Sequence, residues 1–326
     1  MGKRFLWRAL RWLVSAAVLV LVVVTVMFLL LELTPGEPIQ ALIGNMPVPD
    51  DVRASLAQQF GLDRPLFERY LTYMGNMLTG DFGFSYASRQ QVLPLVWEKL
   101  QNTLVMTIPA LILSAALGIA IGAWSAITRN RVLDNILSVT SIALFSLPGF
   151  WVGLMLILIF AVRLDWLPTQ GMRSYTSTGS YSIPHLILPV LTLTITEFAF
   201  KMRLMRASMI EVLGQDFIDT ARSKGLSRGR ILWSHALPNS MLPMITVIGY
   251  SIGYTVAGTV LVEKVFGWPG MGMLLYDSIQ RSENLVVMAI LFVASVSIIV
   301  INLLTDLILG LVDPRIRARI KSGGGR

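Results

Sequence analysis

Cysteine is absent from the 326 residues. Disulfides, thiolate metal sites and cysteine nucleophiles are therefore excluded. Histidine is nearly absent: His185 and His235 are too few and too far apart in sequence for a histidine-rich metal cluster. Charge is scarce, at 14% of residues, where soluble domains carry about 25%. The sequence also lacks a Gly-x4-Gly-Lys-[Ser/Thr] phosphate loop, a carboxylate cluster suited to Mg²⁺, and a Gly-x-Ser-x-Gly nucleophile with a paired histidine. Neither ATP hydrolysis nor intramembrane hydrolysis is encoded in it. What fills the chain is hydrophobicity: 54% of residues and a mean hydropathy of +0.67. Spread over this length, that surplus describes an all-α, polytopic membrane protein. Disorder, coiled coil and collagen-like repeats are ruled out.

A helix needs about 20 apolar residues to cross the hydrocarbon, and six stretches serve: Leu13–Leu31, Thr103–Ser125, Asn135–Val162, a fourth from near Ile183 past Glu197, a fifth from near Met241, and Asn284–Thr305. The first follows Lys3, Arg4, Arg8 and Arg11. It reads as an uncleaved anchor, longer than a signal-peptide core and followed by Glu32-Leu33-Thr34-Pro35 without a small-x-small cleavage site. Pro148-Gly149 breaks the third span, Pro189 breaks the fourth, and Pro238 and Pro243 divide the charge-free run Ile231–Val262.

Basic residues orient the spans. With the N-terminus inside, the inner segments collect Lys3, Arg4, Arg8, Arg11, Arg129, Arg131, Lys201, Arg203, Arg206, Arg222, Lys224, Arg228, Arg230, Arg315, Arg317, Arg319, Lys321 and Arg326. Acidic residues are biased outward. Both termini are then cytoplasmic, and the formal net charge of +8 reports topology and not nucleic-acid binding. The chain divides into residues 1–31 (N-terminus and first span), 32–101 (an outer cap segment), 102–312 (a core of five spans, with an inner loop at 201–238) and the inner tail 313–326. In the cap segment, Asp50–Phe60 and Phe67–Met77 have helical spacing, separated by the turn Gly61–Leu66, and Gly80-Asp81-Phe82-Gly83 ends the second helix. A cap packed on the membrane domain is expected; a plain tether is the alternative. Phe266–Gly272 is expected as an outer turn with Trp268 at interface depth.

The inner loop is the most strongly punctuated stretch. Asp216–Lys224 reads as a short helix with acids first and cations last, matching the helix dipole. Gly225 suits the left-handed residue after a helix, and Ser227 suits the N-cap of a second helix, Arg228–Leu237, closed by Pro238. Two short helices at an angle across the inner face result. A surface helix lying in anionic headgroups is the other reading.

Elsewhere, Glu197 and Lys201 stand one turn apart in the fourth span, as do Asn302 and Asp306 in the last. Ionisable residues in spans are functional candidates, which brings in Glu197 and Asp306 with Asn302 one turn before it, and Thr192 and Thr196 make the fourth span partly polar; these five are candidates to line a passage. Each also has a structural reading: a local Glu197–Lys201 ion pair, an Asp306 that caps inner-loop amides, threonines bonded to their own backbone.

Asp219-Thr220-Ala221-x3-Gly225-x9-His235-x-Leu237-Pro238 resembles the "EAA" loop of bacterial ABC import permeases, written Glu-Ala-Ala-x3-Gly-x9-Ile-x-Leu-Pro. Ala221, Gly225, Leu237 and Pro238 match; Asp219, Thr220 and His235 are departures. Flanking runs resemble the peptide/nickel subfamily: Thr220–Ser227 with Leu226, His235–Asn239, Pro35-Gly36-Glu37-Pro38, Gly61–Leu66, Gly80–Gly83, Glu263-x2-Phe266-x-Trp268-Pro269-Gly270-x-Gly272, Asn302-Leu303-x2-Asp306 and Asp313-Pro314-Arg315. They run in order over nearly the whole chain and look most like the "B" permease subunit of dipeptide and oligopeptide importers.

The resemblance implies a type I ABC importer permease in the bacterial inner membrane, paired with a related "C" permease. Two ATPase subunits would hold ATP and Mg²⁺, a substrate-binding protein would deliver peptide, and this chain would bind no cofactor or metal. Asp219, Thr220 and Ala221 would lie on the helix docked to an ATPase, with small Ala221 permitting close approach and Gly225 making the bend. Arg222 and Lys224 would pair with acids on the partner or face water. Nickel chelates or another small solute remain alternative cargo. A stand-alone secondary transporter is the other class, although no acid pair at mid-membrane and no internal repeat speak for it.

Overall fold

The structure is a computed structural model that describes residues 2–33, 49, 64–128, 130–173 and 181–312. The helix expected at Asp50–Phe60, most of the turn before it reaches Leu66, and the tail from Asp313 lie outside the described residues. The chain forms two compact units, one of residues 1–101 with 273–299, the other of residues 102–272 with 300–326.

In the first unit, α1 (Gly2–Leu33) is continuous. It packs on α2 (Leu66–Thr79), where Thr25 Oγ1 and Tyr70 Oη are 2.7 Å apart and Phe28 meets the rings of Tyr70 and Tyr73. Arg69 closes the pair on Glu32 at 2.6 Å. α2 starts after Pro65 and ends at Gly80, whose φ of 80° lets the chain reverse. A two-stranded hairpin follows, β1 (Phe84–Ser85) antiparallel to β2 (Gln90–Gln91). It is pinned by Glu283, which accepts from Ser85 Oγ and from the Ala87 amide, both at 3.0 Å.

The second unit holds the membrane core. α3 (Val92–Ile127) enters it and is followed by α4 (Arg131–Ser146), begun by Asn130, whose side chain accepts from the amides of Val132 and Leu133. α5 (Gly149–Leu156) continues as a π-helical turn to Arg163. The third expected span is thus broken at Leu147-Pro148, with a bend of 101°. α6 (Ile183–Leu213) is a single helix. Pro189 does not break it, against expectation, because a membrane helix can re-satisfy the one carbonyl a proline frees. Its 31 residues span about 46 Å, so the segment expected as loop from Lys201 is helical to Leu213.

α7 (Asp216–Ser223) and α8 (Arg228–Ile231) come next. The sequence predicts that Pro238 ends the second of these helices and that a new span starts near Met241. The backbone instead runs on without a stop, through a π turn at Leu232–Ala236 into α9 (Leu237–Gly258). Proline lacks an N–H and crowds the carbonyl four residues back. A π turn, with its longer i→i+5 spacing, immediately precedes the proline, a local widening that suits it.

α10 (Val260–Val265), α11 (Met271–Gln280) and α12 (Asn284–Val312) complete the chain. Among the described residues, Val92–Ile127, Ile183–Leu213, Arg228–Gly253 and Asn284–Gly310 are long and apolar enough to cross a membrane; the bent pair is a fifth candidate, and Val14–Leu30 a shorter apolar helix. Trp268, expected at the lipid interface, is fully buried with Phe266, Met106 and Leu188. Its indole N–H donates to the Asn102 carbonyl at 2.8 Å, so its polar end is satisfied within the protein.

Candidate functional site

The corner between α6 and α9 is built by capping chemistry. Lys224 ends α7, and Gly225 follows at φ 76°. The Gly225 amide donates to Arg222 O at 2.9 Å and the Leu226 amide to Ala221 O at 3.3 Å. This is the paired bond pattern of a Schellman turn, with half-buried Leu226 supplying the apolar contact. Ser227 Oγ then accepts from the Arg230 amide at 3.4 Å and starts α8. Arg228 donates to Ile127 O at the end of α3, at 3.3 Å.

The two faces of α7 differ. Ile218 and Ala221 are buried in one cluster with Met205, Met209 and Val212 of α6 and with Ile231, Ala236 and Met244. Ala221 therefore permits close approach to its own chain. The outward face is Asp219, Thr220, Arg222 and Lys224. Arg222 bonds Asp219 at 2.8 Å on that exposed surface, and Thr220 Oγ1 donates back to Asp216 O. Beyond the turn, His235 and Leu237 are half-buried, Pro238 is exposed, and Trp233 is 73% exposed. Below the corner, Ser208 Oγ donates to Ser240 O at 3.1 Å and Ser240 Oγ to Ala236 O at 2.8 Å, a buried staple between α6 and α9.

Higher in α6, Lys201 Nζ meets Glu197 Oε2 at 2.5 Å. Lys201 is completely buried. Two glycines of α3 make room: a Cβ on Gly118 would sit 2.7 Å from Lys201 Cβ, and one on Gly122 would sit 2.5 Å from Met202 O. This small-x3-small pair brings the two backbones together. Ser251 Oγ of α9 lies 3.4 Å from the same Glu197 oxygen. Two residues before it, Gly249 leaves space for Thr305 of α12. Asn302 and Asp306 flank Thr305 and are exposed; Asp306 makes no hydrogen bond or ion pair among the described residues. Thr196 is half-buried, its hydroxyl spent on Thr192 O and Leu193 O. Thr192 is fully buried with its hydroxyl on Leu188 O, so it offers no surface to a passing molecule.

The burial of one acid is not legible in the sequence. Glu263 is fully buried, taking Thr103 Oγ1 at 2.7 Å and Thr259 Oγ1 at 2.9 Å. Thr103 Oγ1 in turn accepts from the Met271 amide at 2.8 Å. Any Cβ on Gly270 would collide with the Glu263 carboxylate. The Glu263-x2-Phe266-x-Trp268-Pro269-Gly270 series, marked in the sequence as a run, is thus a packed corner.

A helical protein with several candidate spans and a capped corner that runs on into one of its long helices has the build of a membrane subunit driven through that corner. Residues 118–318 match the family described as "Binding-protein-dependent transport system inner membrane component", and residues 3–107 match its N-terminal model. The chain is 35% identical over 313 residues to the dipeptide transport system permease protein DppB of Escherichia coli (strain K12), covering 89% of this chain and 92% of that one. It is 34% identical over 310 residues to the di/tripeptide transport system permease protein DppB of Pseudomonas aeruginosa (strain UCBPP-PA14), with the same coverage of 89% and 92%. It is 36% identical over 297 residues to the glutathione transport system permease protein GsiC of Escherichia coli (strain K12), covering 91% and 94%. The chain belongs to the binding-protein-dependent transport system inner membrane component family, and is a non-catalytic, multi-pass permease subunit of an ABC importer in the bacterial inner membrane.

Proposed function

We propose that this permease forms half of the translocation pathway for di- or oligopeptides, beside a related "C" permease. It has six spans with both termini in the cytoplasm. Two ATPase subunits holding ATP and Mg²⁺ dock on the corner, and an extracytoplasmic binding protein delivers the cargo. The peptide assignment draws on relatives named for dipeptide, di/tripeptide and glutathione transport.

The observation that carries the coupling role is the unbroken run from α8 through the π turn into α9. Force applied at α7 and α8 reaches a membrane helix without crossing a flexible loop. Asp219, Thr220, Arg222 and Lys224 meet the ATPase; Ala221, Gly225, Leu226, His235, Leu237 and Pro238 shape the corner behind them.

Purification of the tagged chain from native membranes in mild detergent tests this. A second permease and one or two ATPases should co-purify, and should be lost from the Gly225→Pro/Thr220→Arg variant. A chain that elutes alone in several detergents would return the reading to a self-sufficient carrier.

A further inference from the structure

The protein leaves one carboxylate of α6 incomplete. Glu197 Oε2 receives Lys201 Nζ at 2.5 Å and Ser251 Oγ at 3.4 Å. No described residue donates to Oε1, and 41% of the side chain is exposed. Glu197 lies about 14 residues, or ~21 Å, along the helix from Ile183, towards the inner end of an apolar stretch that gives way to Lys201, Arg203 and Arg206. A carboxylate oxygen exposed on a membrane helix takes water or another molecule's donor, because acyl chains offer it nothing. Lys201 cannot reach outward, since it is enclosed against Gly118. It balances the carboxylate's charge and leaves Oε1 as the open edge.

From this geometry we infer that Glu197 is a contact for a protonated amino group in transit, the α-ammonium of a peptide. The inference rests on the peptide reading above and deepens it. Because Lys201 already holds part of the carboxylate's charge, the contact is weak enough to release what it meets, as a passage requires. A cation on a neighbouring permease subunit offers Oε1 the same chemistry, and the test separates the two sources.

The assembled transporter, in liposomes with its binding protein, is given dialanine or N-acetyl-dialanine. Uptake of each is divided by wild-type uptake of the same peptide, which cancels the binding protein's own preference. Glu197→Gln should lower dialanine uptake by about tenfold, the scale of one charge-assisted hydrogen bond, and leave the acetylated peptide unchanged. Glu197→Gln/Lys201→Met, which removes the stranded cation, should keep that difference. The native chain has no cysteine, so Glu197→Cys offers a charge-restoring check. A sulfonate-bearing methanethiosulfonate should recover dialanine uptake, and a trimethylammonium reagent should not, with the unsubstituted chain as control. Equal loss for both peptides would mean a partner's cation and would overturn the inference, as would a thiol that neither reagent reaches. Wild-type liposomes that take up no peptide would refute the cargo assignment itself; wild-type uptake indifferent to charge at 197 would refute this inference alone.

Discussion

Replacing Gly225 separates the corner as a bend from the corner as mere sequence. The residue sits at φ 76°, and no atom lies within 4 Å of the place a Cβ would take, so Ala meets no steric obstacle there. The whole penalty is backbone strain, roughly 1–2 kcal/mol for an L-residue in the left-handed region. That lowers the ratio of bent to unbent corner by about 5- to 30-fold. Asn tolerates the region better and should cost less. Pro cannot reach this φ and has no amide for the 2.9 Å bond to Arg222 O. Peptide uptake per ATP hydrolysed, in liposomes holding equal amounts of assembled transporter, should therefore fall in the order Asn, Ala, Pro. The reasoning fails if Gly225→Ala and Gly225→Pro couple as well as wild type, or if Asn is worse than Ala.

Three further outcomes are expected. Gly118→Leu or Gly122→Val forces α3 away from α6 and should cost about 1–3 kcal/mol, read as a lower unfolding temperature of the assembled transporter; no change would mean that the helices are not in contact there. Glu283→Ala removes the acceptor for Ser85 and Ala87, worth about 1.5–3 kcal/mol for a charged acceptor, so trypsin should cut faster at exposed Arg89, and an unchanged rate would count against the clamp. Tyr73→Phe should be neutral or stabilising, since the buried hydroxyl has no partner among the described residues. Burial pushes the Tyr73 hydroxyl from 10.0 up to about 12. The unfolded chain thus ionises first, and the native protein loses stability as pH rises from 10 towards 12, a loss that the Tyr73→Phe variant escapes; identical alkaline unfolding profiles would refute this.

Local chemistry is legible in the sequence and distant packing is not. Gly225 and Ser227 announce a helix end and a helix start because capping involves residues within a few positions of each other. The Glu197–Lys201 pair is readable for the same reason, from its one-turn spacing. The burial of Lys201 is not, because it depends on Gly118 and Gly122 in another helix. The burial of Trp268 and Glu263 is hidden in the same way: their partners Asn102 and Thr103 come from far along the chain. Proline is weaker punctuation than its local chemistry suggests. Pro189 and Pro238 both lie within continuous helical backbone, and nothing local in the sequence marks the π turn that accommodates the second.

The corner and the Glu197 contact are linked by construction. One arm, α6, runs from Gly214 back to Glu197, about 26 Å; the other, α9, runs from Leu237 to Ser251, about 21 Å. One arm reaches the capped turn through α7 and the other through α8 and the π turn; the arms are stapled by Ser208 and Ser240 and meet again where Ser251 touches Glu197. Two stiff arms of similar length, joined at the base, convert a small tilt at the base into sliding at the tip. The 3.4 Å hydroxyl–carboxylate contact joins one arm to the other, whereas Lys201 travels with Glu197 on the same helix. A tilt imposed at α7 and α8 would therefore part Ser251 from Glu197 before it parts Lys201, altering the donors around the carboxylate without exposing an unpaired charge. Ser251→Ala should then weaken the dependence of peptide uptake on ATP while leaving the Glu197–Lys201 pair intact, and a variant with wild-type uptake per ATP would show that the two arms do not communicate through this contact.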